Sequence, residues 1–133
     1  MNFVILTPAI VEALHDAALN PGELQGRALD TSLEGALARV ENRILYGMIE
    51  DMFDLAAAYA EAVSQGRFFN DASMRTAFEA MNFCLEMNDV ILDWPTEETG
   101  QMIIALAQRR RDAAQMAGWL RASAQHNERT AQT

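Results

Sequence analysis

The chain has 133 residues, half of them hydrophobic, with a formal net charge of -9 and a sequence pI near 4.5. That length suits one domain with a real core, and so acidic a balance excludes a general nucleic-acid binder, whose phosphate contacts need clustered cations. All ten basic residues are arginine, which removes Schiff-base and P-loop lysine chemistry, and the lone Cys84 leaves no intrachain disulfide framework.

Met1 to Leu6 is apolar but has no basic flank and runs into Pro8, so a cleaved leader is not expected. No apolar run is long enough to span a bilayer, and the expected setting is the cytoplasm. Thr7-Pro8 reads as a helix cap followed by proline at the first helical position. Ile10, Val11, Leu14, Ala17 and Ala18 then recur at helical spacing, which predicts a helix over 8–19 that Asn20-Pro21-Gly22 ends. His15 lies on this helix and His126 in the tail. With no second His or Cys at metal-binding spacing, His15 reads as a structural histidine bonded locally, not a ligand. Residues 23–30 form a surface loop or short hairpin. Thr31-Ser32-Leu33-Glu34 matches a capping box, with Thr31 as the cap and Glu34 reaching back, and Leu33, Leu37 and Val40 follow on one face of a helix from about 32.

Ile49, Met52, Phe53, Ala56, Ala57, Ala60 and Val63 predict a helix over 49–65 with a small-residue face, and Gly66 reads as its C-cap. The polar stretch Gly66-Arg67-Phe68-Phe69-Asn70-Asp71-Ala72-Ser73-Met74-Arg75-Thr76-Ala77 leads into a further helix. Its apolar face is Met74, Ala77, Phe78, Met81 and Leu85, and Asn88 takes the left-handed position at its end near 87. The two helices form an antiparallel hairpin that presents the loop at one end. There the free amides and positive dipole end of the second helix attract an anion, most commonly a phosphate. Asp71 can hold a divalent cation beside it and Arg75 can neutralise its charge.

Cys84 sits in an apolar run and reads as a packed core thiol. Val90-Ile91-Leu92 is no more than an edge segment, and Trp94-Pro95 forbids helix. Thr96 caps a helix with Glu97 and Glu98 in its first turn, running through Ile103, Ile104 and Leu106 to Arg109-Arg110-Arg111 near its end. The arginine run either complements that helix end or forms a patch for an acidic partner. Ala114, Met116, Ala117, Trp119 and Leu120 predict a last helix, after which 123–133 is a polar tail expected to fray. The fold class is all-α, a compact bundle of about six helices in one domain over 1–122.

The central loop resembles the signature loop of the Fic/Doc family, close to His-x-Phe-x-Asp-(Gly/Ala)-Asn-(Gly/Lys)-Arg. Phe69, Asp71, Ala72 and Arg75 fill their places, whereas Arg67 stands in the His place, Ser73 in the Asn place and Met74 in the Lys place of Doc-type members. The segment from Arg27-Ala28-Leu29-Asp30 through Leu33-Glu34-Gly35-Ala36-Leu37-Ala38-Arg39 resembles the family's flap over that loop, with a typical form close to Leu-Glu-Ser-Ala-Leu-Ala-Arg. Leu33, Glu34 and Arg39 are its flap residues. The similarity extends over about 6–120.

The resemblance implies a toxin of the Doc branch, part of a bacterial or phage toxin–antitoxin module. Such a toxin transfers the terminal phosphoryl group of ATP, with Mg2+, to a threonine of elongation factor Tu, and an antitoxin of Phd type folds its C-terminal segment onto it. Fic relatives with a second Arg three positions after the motif transfer AMP instead; Phe78 occupies that place here. By the same resemblance Arg67, Asp71 and Arg75 hold the catalytic places, Ala72, Ser73, Met74 and Arg75 the phosphate cradle, Asp71 the metal place, and Phe69 packs the motif. A guanidinium cannot accept a proton at neutral pH, so the general base is missing. Three readings follow: a toxin that is inactive or weakened, a catalytically dead binding module for nucleotide or an antitoxin-type helix, or a transferase that uses another base or none. Neither nucleic acid nor membrane is an expected partner.

Overall fold

A computed structural model describes residues 3–132, with the side chains from residue 125 onward outside the described set. Six helices follow in order: α1 Pro8–Ala18, α2 Leu33–Leu45, α3 Met52–Gly66, α4 Ser73–Met87, α5 Thr96–Ala107 and α6 Ala113–Gln132. The all-α class expected from periodicity is the architecture observed. The expected frayed tail begins inside α6, and its side chains from 125 on, His126 among them, lie outside the described residues.

Helix α3 is the axis of the bundle. Leu55, Ala56, Ala57, Ala58, Tyr59, Ala60 and Val63 are all buried, because α4, α6, α2 and α5 pack around it and α1 lies on α4. The run of alanines lets neighbouring backbones approach closely, while Leu, Met and Tyr fill the remaining volume. The N-terminal segment is stitched onto this axis. The Leu6 amide donates to the Tyr59 hydroxyl at 3.0 Å, and the Asn88 amide brackets Val4, accepting from its N–H at 3.0 Å and donating to its carbonyl at 3.2 Å. Burial pushes the Tyr59 phenol up to about 12 and the Cys84 thiol up to about 12. Cys84 is therefore a packed core thiol with no thiolate to offer, as its apolar surroundings in the sequence imply.

Several ends differ from expectation, each for a local reason. Thr7 does cap α1, accepting from Ile10 N at 3.2 Å. At α2, however, the cap is Ser32, which accepts from Gly35 N at 3.0 Å. Thr31 instead donates to the Ala28 carbonyl at 2.9 Å, and Glu34 pairs with Arg27, a charge-assisted bond stronger than reaching back to an amide. Helix α3 starts after Ile49, where Asp51 accepts from Phe53 N and Asp54 N; Asp51 also receives two bonds from Arg121, at 2.9 and 3.0 Å, which tie α6 to α3.

The left-handed residue that closes α4 is Asp89 (φ 68), not Asn88 (φ -107). Val90 N donates to Leu85 O and Asp89 N to Glu86 O in a Schellman arrangement, and Asn88 is thereby free to hold Val4. Helix α5 has Pro95, not Thr96, at its cap position, and Arg109 (φ 60) closes it, so Arg109 to Arg111 lie beyond its last turn. Residues 90–92 form no strand, and 23–30 form no hairpin of their own; that loop crosses to the signature loop in an isolated bridge between Arg27 and Phe69. Among the described residues no helix is long and apolar enough to cross a membrane.

Candidate functional site

The site is the turn from α3 to α4. Gly66 ends α3, and a Cβ there would lie 2.0 Å from the Phe68 ring, so glycine is required for close approach of that ring and not for a left-handed cap. The left-handed residue is Arg67 (φ 50, ψ 48), which turns the chain and leaves its own side chain exposed. Phe68 and Phe69 then both bury. Phe69 stacks flat on His15, with ring centroids 3.9 Å apart at 10°.

His15 is fully buried and structural, with a local contact as expected and a long-range one besides. Its Nε2 lies 2.9 Å from the Asp71 carbonyl oxygen. A carbonyl only accepts, so Nε2 carries the hydrogen and donates it. Nδ1 sits 3.3 Å from Asp16 Oδ1. One imidazole from α1 thus fixes both the packed face of the loop, through Phe69, and its polar crest, through Asp71.

The loop between α1 and α2 closes over the other side. Ala28 N donates to the Phe68 carbonyl at 2.8 Å, Leu24 N to Asp71 Oδ2 at 2.8 Å, and Asn70 Nδ2 to the Arg27 carbonyl at 3.4 Å. The segment lying over the signature loop is therefore 24–28. Of the residues expected as flap, Leu33 is buried in the core at the start of α2, Glu34 pairs with Arg27, and Arg39 lies further along α2 beside a different depression. Arg27 and Ala28, the first residues of the expected flap segment, meet the loop, and Leu33, Glu34 and Arg39 lie on α2.

Ala72 (φ 64) begins α4 without a side-chain cap, and the first turn holds no acidic residue. Among the described residues every other helix start has one or the other: Thr7, Ser32 and Asp51 cap α1 to α3, Glu97 and Glu98 stand in the first turn of α5, and Asp112 accepts from Gln115 N at α6. Asp71, just before the start of α4, accepts from Leu24 N instead. Ser73, Met74 and Arg75 make the first turn, whose amides have no intrahelical acceptor and stand at the positive end of the dipole, as a phosphate oxygen requires. Residues Asn70, Asp71, Ala72, Ser73, Met74 and Arg75 line a depression of about 370 Å3 there. Arg67 is not among them.

Arg75 is held rather than loose. Its Nη1 donates to the Ala18 carbonyl at 2.6 Å and its Nη2 to Glu23. That ion pair raises the guanidinium's pKa and, with the Asn20 amide, holds the Glu23 carboxyl below its usual range. Thr76 donates its hydroxyl to the Ala72 carbonyl at 2.8 Å. Glu23 and Leu24 carry no signal in the sequence beyond following the Asn20-Pro21-Gly22 turn, since their partners lie 52 and 47 residues away.

Among the described residues no group of three His, Cys, Asp or Glu could hold a metal. Asp71 accepts from Leu24 N through Oδ2. The left-handed Ala72 costs about 1 kcal/mol that glycine would not incur. Ala72→Gly is expected to raise stability by roughly 0.5–1 kcal/mol, read as a higher urea midpoint at unchanged slope.

No protein-family model matches the chain. A curated protein named protein kinase doc, from Escherichia phage P1, is 36% identical over 92 residues, which is 68% of this chain and 73% of that protein.

Proposed function

Because the chain belongs to the Doc family, we propose that it is the toxin of a toxin–antitoxin pair, built for phosphoryl transfer from ATP and disabled at the transfer step. The observation that carries this reading is the start of α4, uncapped and free of acid, opening into a depression that Asp71 and Arg75 both line. The first-turn amides of Ser73 to Arg75 would receive the phosphate oxygens, with Arg75, ordered by Ala18 and Glu23, at the edge. Mg2+ bound with the nucleotide would supply charge neutralisation, held by Asp71. Phe78, in the place of the second arginine, packs edge-on against Trp94 with centroids 5.5 Å apart and adds no charge, which favours phosphoryl over adenylyl transfer.

What is lacking is a proton acceptor. Arg67 stands in its place as a permanent cation, so the target hydroxyl keeps its proton. Binding survives on this reading and turnover does not. The natural acceptor would be a hydroxyl of elongation factor Tu, and the controlling partner an antitoxin of Phd type whose helix lies against the toxin.

The test is titration calorimetry with ATP and Mg2+. Wild type is expected to bind, and Asp71→Ala to bind about tenfold or more weakly, as for loss of one charge-assisted contact. Absence of binding by the wild type, or equal binding by both proteins, would remove the reading.

A further inference from the structure

A second depression, of about 290 Å3, lies between α2 and α3 and extends to the turn after α5. Its wall is mixed, with the buried Val40, Ala58 and Phe68 on one side and Arg39, Arg43 and Arg109 among the other lining residues. Arg27, Arg75 and Arg121 each bond a carboxylate. Here three guanidinium groups face the single carboxylate of Glu61, on a chain whose formal net charge is -9. Glu61 is itself divided, with Oε1 at 3.6 Å from Arg43 and Oε2 accepting from Ala113 N at 2.7 Å. Arg109 is held by the neutral Gln65 oxygen at 2.7 Å, and Arg39 makes no ion pair among the described residues.

We propose that this pocket docks an acidic segment of a partner protein, one carboxylate lying between Arg39 and Arg109 with its hydrocarbon stem against Val40 and Phe68. The volume sits at the lower edge of the roughly 300–1,000 Å3 of small-ligand pockets, which suits one side chain and not a nucleotide. Planar guanidinium groups match a carboxylate with two bonds each, and Arg109 is already ordered for it. The docking surface goes beyond the phosphate site and does not depend on it. It also gives Arg109, which closes α5, a ligand of the acidic class that its cluster in the sequence suits.

Fluorescence anisotropy of a labelled peptide of alternating Glu and Leu, titrated with the full chain, tests the proposal. The Glu peptide is expected to bind more weakly as salt rises, and its Gln counterpart not to bind. Arg39→Gln with Arg109→Gln should weaken binding about tenfold or more, while Arg110→Gln, outside the pocket, should leave it unchanged. Both targets are exposed, and circular dichroism checks folding; should the pair fail to fold, Arg39→Gln alone is expected to lose a smaller part of the affinity. Equal binding of the Gln peptide, an unchanged affinity in the variants, or no binding by the wild type overturns the proposal. Inorganic phosphate competing as well as the peptide would assign the pocket to free anions and overturn it too.

Discussion

Arg67→His, combined with Ser73→Asn and Met74→Lys, is expected to raise transfer of the terminal phosphate of ATP onto a protein hydroxyl well above that of the wild-type chain. Restoring a general base alone is worth on the order of a hundred- to ten-thousand-fold. Histidine suits the position for a backbone reason as well as a chemical one: residue 67 is left-handed, at φ 50, and His tolerates that region better than most side chains. Its exposure means that the exchange disturbs no core. Met74 is partly buried against the core, so Lys there must lay its stem along the same surface, at a cost of about 1 kcal/mol or less. The measurement is radiolabel from the γ-position of ATP appearing on protein, with growth arrest on induction as the cellular counterpart. Adding Asp71→Ala to the repaired chain should abolish both. A repaired protein that folds and binds ATP yet labels nothing would show that the missing base is not what disables the loop.

His15→Ala is expected to have the largest effect on stability of any single change near the site, about 2–4 kcal/mol. The substitution removes a fully buried ring, leaves Phe69 without its stacking partner, and strips the donor from the Asp71 carbonyl. His15→Phe separates these contributions, since it retains ring area and loses only the ring's polar contacts with Asp71 and Asp16; about 1–2 kcal/mol is expected. Denaturant unfolding gives both values. Amide hydrogen exchange across 70–75 should rise in both variants, because the crest of the loop is tethered through that bond. If His15→Ala lay within about 0.5 kcal/mol of wild type, an ordinary surface value, the loop would have to be held from the flap side alone.

Those two predictions divide along a line visible in the chain itself. The helices could be read from spacing, because a helix buries residues three and four apart whatever it packs against: the face of α3 from Met52 to Val63 and the cap at Thr7 depend on neighbours in sequence. The polar loop could be read for the same reason, as a helix end followed by a helix start. Where a competing partner came from elsewhere, local rules gave way: Arg27 drew Glu34 out of the capping box, and the bracketing of Val4 engaged Asn88.

Spacing and residue type therefore settle the all-α class, the hairpin of α3 and α4, and the absence of a proton acceptor at position 67, since each depends on local backbone geometry or on the chemistry of one side chain. The bundle alone decides that His15 holds Asp71, that Glu23 orders Arg75, and that Arg39 and Arg109 line one depression. Those pairings join residues tens of positions apart, and nothing local encodes them, because they exist only once burial of the apolar faces has brought the helices together.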